Sequence, residues 1–288
     1  MRSFSINELE KYTGIKAHTI RIWERRYDLL QPERTPGNFR MYTIDQLKKI
    51  LHVALLNKNG HRVSELSKIP LTGIEDKVTS LSTDQSRWQK AINELTINMF
   101  TVEPESFKWL LDELLIVWPI DVVMEKIIGP FLEVTGLFWI WKREYEEHLV
   151  ITAIRKKITL GIETLPMVKS NGSSVLLFLP DSKQVDLGLL YTNYFLKRRG
   201  IRVIYMGTEV TQNHITKLLR VHQPQFIYTY LSKQTNFKKD SLVKFLNDHA
   251  PGTTLVVGAY AEDGNEAGDA MPATQALDYL VANIHRGI

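Results

Sequence analysis

HTIRIWERRYDLLQPERTPGNFRMYTIDQL, residues 18–47, is the stretch that decides the fold of the amino-terminal region. The spacing of Ile20 and Trp23 predicts an amphipathic helix over residues 17–27, with both side chains facing inward. Gly14 separates this helix from a shorter one before it. Two short helices joined by a glycine-containing turn are typical of a helix-turn-helix.

The second half of the same stretch predicts a hairpin and a third helix. In PERTPGNFRMY, residues 32–42, proline, glycine and asparagine stand between two short extended segments, a pattern that favours a β-hairpin. Thr43, followed by Gln46, forms a capping box that begins a helix over residues 44–57. The region therefore combines a helix-turn-helix, a hairpin and a supporting helix.

The distribution of charge sets this region apart. Residues 1–70 hold thirteen Lys or Arg against seven Asp or Glu, whereas the rest of the chain holds 23 against 25. All of the excess positive charge of +4 therefore lies in one segment of the size of a small domain. Such a concentration is expected of a module that faces phosphates. A solvated basic surface is the other interpretation that charge alone allows.

Composition excludes several classes of protein. The chain has no cysteine, which excludes disulfides, thiolate metal sites and cysteine nucleophiles. It has no apolar run near the roughly 18–20 residues that a membrane span needs. The amino-terminal MRSFSINELEKY lacks the apolar core of a secretory signal. We therefore expect a cytoplasmic protein with no membrane partner.

Beyond the first region the chain is expected to hold two more domains. Residues 71–85 are polar and predict a linker. Residues 86–168 have a helical period, with prolines near the expected helix starts, and predict a four-helix bundle. In residues 169–288, four strand-like runs alternate with helices, which predicts a Rossmann-like, doubly wound parallel sheet. The fold class is therefore multidomain, α and α/β.

The helix over 17–27 carries the side chains that suit a DNA-reading helix. Arginine pairs bidentately with the edge of guanine and serves phosphates equally well. The hairpin adds residues that can hold the backbone beside the groove, which sets register rather than sequence. The predicted DNA-binding residues are Thr19, Arg21, Trp23, Arg25, Arg26, Arg34, Asn38, Arg40 and Tyr42.

The ordered pattern Trp-Glu-Arg-Arg-Tyr, then Pro-x-Arg-Thr, then Gly-x-x-Arg-x-Tyr resembles the winged helix-turn-helix of the MerR family over roughly residues 3–70. It is most similar to the CarA/CarH/LitR-like branch of light-responsive or cobalamin-linked repressors. The resemblance implies that residues 17–27 enter the major groove and that residues 34–42 form the wing. It also implies a homo-oligomer, a dimer or tetramer, on double-stranded operator DNA, with a small-molecule effector as a further partner.

In this branch a helical bundle and a cobalamin-binding domain follow, and the resemblance implies a cofactor site. Glu147 and His148 match the residues that cover the upper face of the cofactor. The nearest matching tryptophan, Trp139, is separated from Glu147 by seven residues, a shorter spacing than in the family. Trp141 is a second match at a still shorter spacing.

On the lower side the family's Asp/Glu-x-His-x-x-Gly motif aligns with residues 183–188. Val185 stands at the histidine that ligates cobalt, and a valine side chain has no lone pair to donate. Gly188, Ser232 and Gly258 match the family, whereas Ala259 replaces the second glycine of its Gly-Gly pair, where the backbone approaches the nucleotide tail. The cofactor is therefore unknown; cobalamin is a candidate that Val185 argues against, and we predict no metal site.

Three roles of the last domain stay open. It serves as a structural or oligomerisation unit, binds another small molecule in the same cleft, or holds cobalamin with His148 coordinating from above. For the whole chain we expect a DNA-binding transcriptional regulator, a repressor by analogy with the family, and not an enzyme. The alternatives are a cobalamin-carrier or methyltransferase-type activation module and a protein-interaction scaffold without a DNA role.

Overall fold

The structure is a computed structural model that describes residues 2–101, 104–136, 145–166, 174–180, 187–230, 239–259 and 271–284. The described residues up to 136, together with 145–154, form one compact unit. The described residues from 155 onward form a second one. Each unit has its own buried core.

The first unit begins with the predicted helix-turn-helix and hairpin. The elements are β1 (Phe4–Ser5), α1 (Ile6–Thr13), α2 (Ala17–Tyr27), β2 (Glu33–Arg34), β3 (Arg40–Tyr42), α3 (Ile44–Lys58) and α4 (Val63–Leu66). The three strands pair antiparallel in the order β1-β3-β2. Strand β1 is an addition to the predicted elements, since two residues are too few to show a period.

Local sequence signals set the ends of these helices. Ser5 caps α1 in a capping box with Glu8, and Thr43 caps α3 in the predicted box with Gln46. Gly14 ends α1 in the left-handed region at φ 70°, which favours glycine. Helix boundaries in this region therefore follow from residues a few positions apart.

Residues 71–85, which the sequence predicts as a linker, are largely helical, and that prediction is wrong for their first part. Helix α5 runs over Leu71–Thr79 and buries Ile74 and Val78. The two buried residues lie four positions apart and face α3, with which α5 packs. The sequence shows no clear helical period here, because only a narrow stripe of α5 is buried and its other residues are mostly polar.

The rest of the first unit is helical and packs directly on the helix-turn-helix region. It comprises α6 (Asp84–Phe100), α7 (Pro104–Val117), α8 (Ile120–Val122), a π-helical segment (Val123–Ile128), α9 (Gly129–Thr135) and the start of α10 (Tyr145–Glu163). The ring of Phe100 lies 4.9 Å from that of Phe4 and 5.4 Å from that of Tyr12. The amide of Asn93 donates to the carbonyl of Leu51 at 3.3 Å. The division at residues 71–85 between a DNA-binding domain and a separate helical bundle remains a prediction.

The second unit contains the predicted parallel sheet. Its strands are β4 (Ser174–Phe178), β5 (Arg202–Gly207), β6 (Phe226–Tyr230), β7 (Thr254–Ala259) and the short β8 (Met271–Pro272), which the sequence does not predict. Among the described residues all strand pairs of this sheet are parallel, in the order β5-β4-β6-β7-β8. The order reverses between β4 and β6, and this is where doubly wound sheets bind ligands.

Helices cover both faces of this sheet, as the alternation of buried residues requires. Val175 and Leu177 lie in one core with residues of α11 (Leu187–Arg198) and α14 (Ala273–Ile284). Leu176 and Phe178 lie in the other core with residues of α12 (Gln212–Leu219) and α13 (Lys239–His249). Strands that are buried on both faces are continuous apolar runs, which is why they were predictable. In the described part of the chain no helix is long and apolar enough to cross a membrane.

Candidate nucleic-acid interface and sheet edge

Helix α2 presents three arginines to solvent from one side. Arg21, Arg25 and Arg26 are exposed, whereas Ile20 is fully buried against the core. Arg21 and Arg25 are one helical turn apart and therefore lie side by side. Thr19 and Trp23 are half-buried at the margin of this surface, so Trp23 faces the core less completely than predicted.

The turn between α1 and α2 is held by a carboxylate that the sequence analysis did not single out. Glu10 accepts a hydrogen bond from the backbone N–H of Ala17 at 2.8 Å and contacts the Lys16 ammonium at 3.0 Å. These two donors lower the pKa of Glu10 below its usual value. Because Lys16, the residue before α2, provides no side-chain cap, Glu10 caps this helix from its neighbour.

The wing is a hairpin whose tip is exposed. Asn38 adopts a left-handed conformation at φ 62° and closes the turn with a hydrogen bond from its N–H to the carbonyl of Thr35 at 2.8 Å. The Arg34 guanidinium donates to the side-chain oxygen of Asn38. Phe39, beside them, is 73% exposed. Arg34 and Asn38 are thus available at the tip, together with an aromatic ring that the sequence analysis did not consider.

Tyr42 does not lie at this surface, and the prediction that it contacts DNA is wrong. Its side chain is fully buried and its hydroxyl donates to the carboxylate of Glu24 on α2. Burial, together with this carboxylate, raises the pKa of Tyr42 well above its usual value, so the hydroxyl keeps its proton. Glu24 also accepts from Nε of Arg40 at 3.1 Å. Tyr42 and Arg40 therefore attach the wing to α2 through Glu24, which is itself nearly buried.

Glu24 and Glu10 are the positioning residues that the sequence analysis missed. A glutamate inside a basic helix has the appearance of a solvent-exposed charge, and Glu24 is separated from Tyr42 by most of the wing. A usable signal was the helical phase: Glu24 lies four positions after Ile20 and so points toward the buried side. Nothing in the sequence near Glu10 points to Ala17 as its partner.

At the carboxyl end of the sheet, the space beside Gly258 is filled by a tyrosine. A Cβ on Gly258 would lie 2.6 Å from ring carbons of Tyr230, which is nearly fully buried. The Tyr230 hydroxyl is 3.2 Å from Oγ1 of Thr192 on α11, and its ring packs edge-on against Tyr228 at 4.9 Å. Burial raises the pKa of Tyr230 to about 12. Gly258 is therefore close-packed against protein.

The other predicted cofactor residues belong to different units or lie outside the described residues. Gly188 is buried near the start of α11, where its carbonyl accepts from Thr192 at 2.8 Å. His148 is exposed on α10. Glu147 precedes it in the same helix, but its side chain, like Trp139, Val185 and Ser232, lies outside the described residues. The described residues contain no cluster of three or more His, Asp or Glu that could hold a metal ion.

Sequence comparisons identify relatives for both parts of the chain. Residues 4–70 match the model of the MerR HTH family regulatory proteins. The HTH-type transcriptional repressor CarH of Myxococcus xanthus is 24% identical over 279 residues, which is 92% of each chain. The HTH-type transcriptional repressor CarA of the same organism is 27% identical over 206 residues, which is 71% of this chain and 68% of CarA.

A solved structure supports the fold over part of the chain. The monomethylamine corrinoid protein of Methanosarcina barkeri aligns with a TM-score of 0.52 over 70% of this chain and all of its own. Its sequence is 14% identical, so the likeness concerns the fold alone.

Proposed function

Since this chain carries a MerR helix-turn-helix domain and is homologous to CarH and CarA over most of its length, we propose that it is a sequence-specific DNA-binding transcriptional regulator that represses its targets. The observation that supports this best is the exposed row of Arg21, Arg25 and Arg26 on α2, beside the exposed Arg34 of the wing. The buried Ile20 on the opposite side fixes how the helix presents them.

The mechanism follows from this arrangement. Arg21 and Arg25 project into the major groove and read base edges, while Arg34 and Asn38 hold the phosphates beside it. The wing keeps its place because Glu24 joins Tyr42 and Arg40 to the reading helix. Because the wing is already fixed in the folded chain, no further conformational entropy is lost in ordering it when DNA binds.

The test is the double variant Arg21→Ala, Arg25→Ala, compared with Arg220→Ala, an exposed arginine in the second unit. Affinity for the operator in the chain's own promoter should fall by about 1–3 kcal/mol for each arginine that reads a base edge. The control should bind as the unaltered chain does. Wild-type affinity should also fall steeply with salt. Unchanged binding of the double variant, or salt-independent binding, would favour the protein-interaction scaffold.

The direction of regulation and the oligomeric state are part of the proposal. A reporter fused to the chain's own promoter should rise when the gene is deleted, and a fall would contradict repression. Since dimeric proteins of this kind read two-fold symmetric sites, we propose a homo-oligomer, a dimer or tetramer. Light scattering after gel filtration should give a multiple of the 33.3 kDa chain. A monomer on and off DNA would contradict it.

The sheet edge of the second unit fits a corrinoid poorly. By the family resemblance, the nucleotide tail approaches the backbone at the pair Gly258 and Ala259, where Ala259 adds a methyl group and the ring of Tyr230 packs against Gly258. The Tyr230 hydroxyl is satisfied by Thr192 within the core rather than turned toward a ligand. We propose that this domain acts as a structural and oligomerisation unit.

The absorbance spectrum of the purified chain after incubation with adenosylcobalamin in the dark and desalting tests this part. The protein fraction should retain no corrin bands. Retained bands that shift on illumination would contradict the structural role, and His148→Ala would then show whether that histidine coordinates from above. This outcome leaves the DNA-binding proposal untouched, since the two rest on different units.

A further inference from the structure

Strand β5 forms one edge of the parallel sheet, and no described strand pairs with its outer side. Every residue of the neighbouring β4 is buried, whereas Arg202 is exposed and the other five residues of β5 are only partly buried. On an edge strand, a row of backbone N–H and C=O groups points away from the sheet. The outer side of β5 therefore carries hydrogen-bonding groups that the sheet itself does not use.

The two edges formed by the described strands differ in how they are protected. Strand β8, at the opposite edge, is two residues long, and one of them is a proline, which has no N–H to donate. Strand β5 has six residues, no proline and a single charge, Arg202 at its first position. Its pairing with β4 is regular up to Tyr205 and shifts by one residue only after it. A long apolar edge of this kind pairs readily with another strand, so β5 is the edge that needs a partner.

Opposite charges stand at the two ends of β5. Arg202 at its amino end and Glu209, two residues beyond its carboxyl end, are both exposed, and neither forms an ion pair within the described part of the chain. Glu209 has a φ of 60°, and hydrogen bonds hold the backbone on both sides of it. The N–H of Leu179 donates to the carbonyl of Gly207 at 2.8 Å, and the N–H of Val210 donates to the carbonyl of Leu179 at 3.0 Å. The position of Glu209 beside the strand is therefore fixed.

We propose that β5 pairs antiparallel with β5 of a second copy of the chain, about a two-fold axis. This arrangement sets the amino end of each strand beside the carboxyl end of the other, so that Arg202 of each copy faces Glu209 of the other. A parallel arrangement sets like charges side by side, which is unfavourable. Because each copy offers one unprotected edge, the contact is self-complementary and closes after two chains. The proposal rests on the homo-oligomer proposed above and assigns one of its interfaces to the second unit.

Charge reversal tests this interface in the full chain, by sedimentation velocity over a range of concentrations. Arg202→Glu sets two carboxylates against each other and Glu209→Arg sets two guanidinium groups against each other, so each should weaken self-association at least about tenfold. The double variant Arg202→Glu, Glu209→Arg restores opposite charges, and the affinity should return to within about threefold of that of the unaltered chain. Lys244→Glu, an exposed charge on α13, is the matched control and should change nothing.

Introduced cysteines locate the contact, since the chain has none of its own. A short bis-maleimide should join Arg202→Cys chains to Glu209→Cys chains. It should not join Arg202→Cys chains to one another, because antiparallel pairing of six-residue strands separates the two Arg202 positions by roughly 17 Å.

Three results would overturn the interface. Self-association that both reversals leave unaltered, or single reversals that the double variant does not rescue, would overturn it while leaving the homo-oligomer in place. A chain that is monomeric at every concentration would overturn both. Each result is distinct from a failure of DNA binding, which the variants of Arg21 and Arg25 in the first unit measure separately.

Discussion

At the scale of single residues, the position of the wing beside α2 depends on a carboxylate. Glu24 accepts from the buried hydroxyl of Tyr42 and from Arg40, and so ties the hairpin to α2. Removing one partner of a buried charged acceptor costs more than the hydrogen bond gave, because the acceptor stays desolvated. The residues that set the geometry of this surface are therefore distinct from the arginines that we propose to contact DNA.

Tyr42→Phe removes only the hydroxyl that Glu24 accepts. The free energy of unfolding of the first unit should fall by about 1–3 kcal/mol, because Glu24 is only 9% exposed and loses a donor. Operator affinity should fall as well, while its dependence on salt stays the same, since no cation has been removed. Urea denaturation and titration at several salt concentrations measure both. Tyr27→Phe, at a half-buried position, is the control, and a variant with unchanged stability and affinity would refute the role assigned to Glu24.

At the scale of elements, close packing between β6 and β7 explains a glycine that the family resemblance assigned to a cofactor. Gly258 lies against the ring of Tyr230, so the absence of a side chain there serves the packing of two neighbouring strands. The same motif position can thus be kept for a different physical reason. A matching residue is evidence of a shared fold before it is evidence of a shared ligand.

Gly258→Ala should destabilise the second unit by about 1–3 kcal/mol, because its new methyl overlaps the Tyr230 ring at 2.6 Å. Combining it with Tyr230→Leu should recover part of the loss, since the overlapping ring is then gone. Gly252→Ala, where a Cβ would meet nothing within 4 Å, is the matched control. Thermal denaturation of the unaltered chain, Gly258→Ala, Tyr230→Leu and the double variant measures the cycle, with Gly252→Ala measured beside them. Equal effects of the Gly258 and Gly252 changes would show that the contact is not tight.

At the scale of the whole molecule, the helix-turn-helix region and the first helices after it share one core. Rings of Phe4, Tyr12 and Phe100 meet there, and α5 and α6 pack on α3. His52 lies within this shared core, facing Lys48, Glu75 and Lys90. Its protonation therefore affects the stability of the whole first unit.

The pH dependence of the free energy of unfolding should contain a contribution from His52. Its pKa is about 4 in the folded chain against 6.5 as the ordinary value, so the unfolded chain binds the proton first as pH falls. The contribution of His52 to the free energy of unfolding is complete above about pH 6.5. It should decline by up to about 3 kcal/mol toward pH 4, because the pKa is depressed in the folded chain. Urea denaturation across this window, compared with His52→Leu, isolates the contribution. A slope that is the same in both chains would contradict it.

The sequence by itself determined the elements whose signals are local. The capping box at Thr43, the helix end at Gly14 and the apolar strand runs each act within a few residues, and each is found where it was predicted. The ordered pattern over residues 18–47 likewise identified the helix-turn-helix and its hairpin.

Only the tertiary structure decided which side chains are available. Tyr42 was predicted to face DNA and is buried. Residues 71–79 were predicted as part of a linker and form a helix. The space beside Gly258 is occupied by the ring of Tyr230. In each instance the deciding partner lies far along the chain: Glu24 for Tyr42, α3 for α5, Tyr230 for Gly258. Periodicity shows that a residue is apolar or polar, but burial depends on what packs against it, and packing is a property of the folded chain.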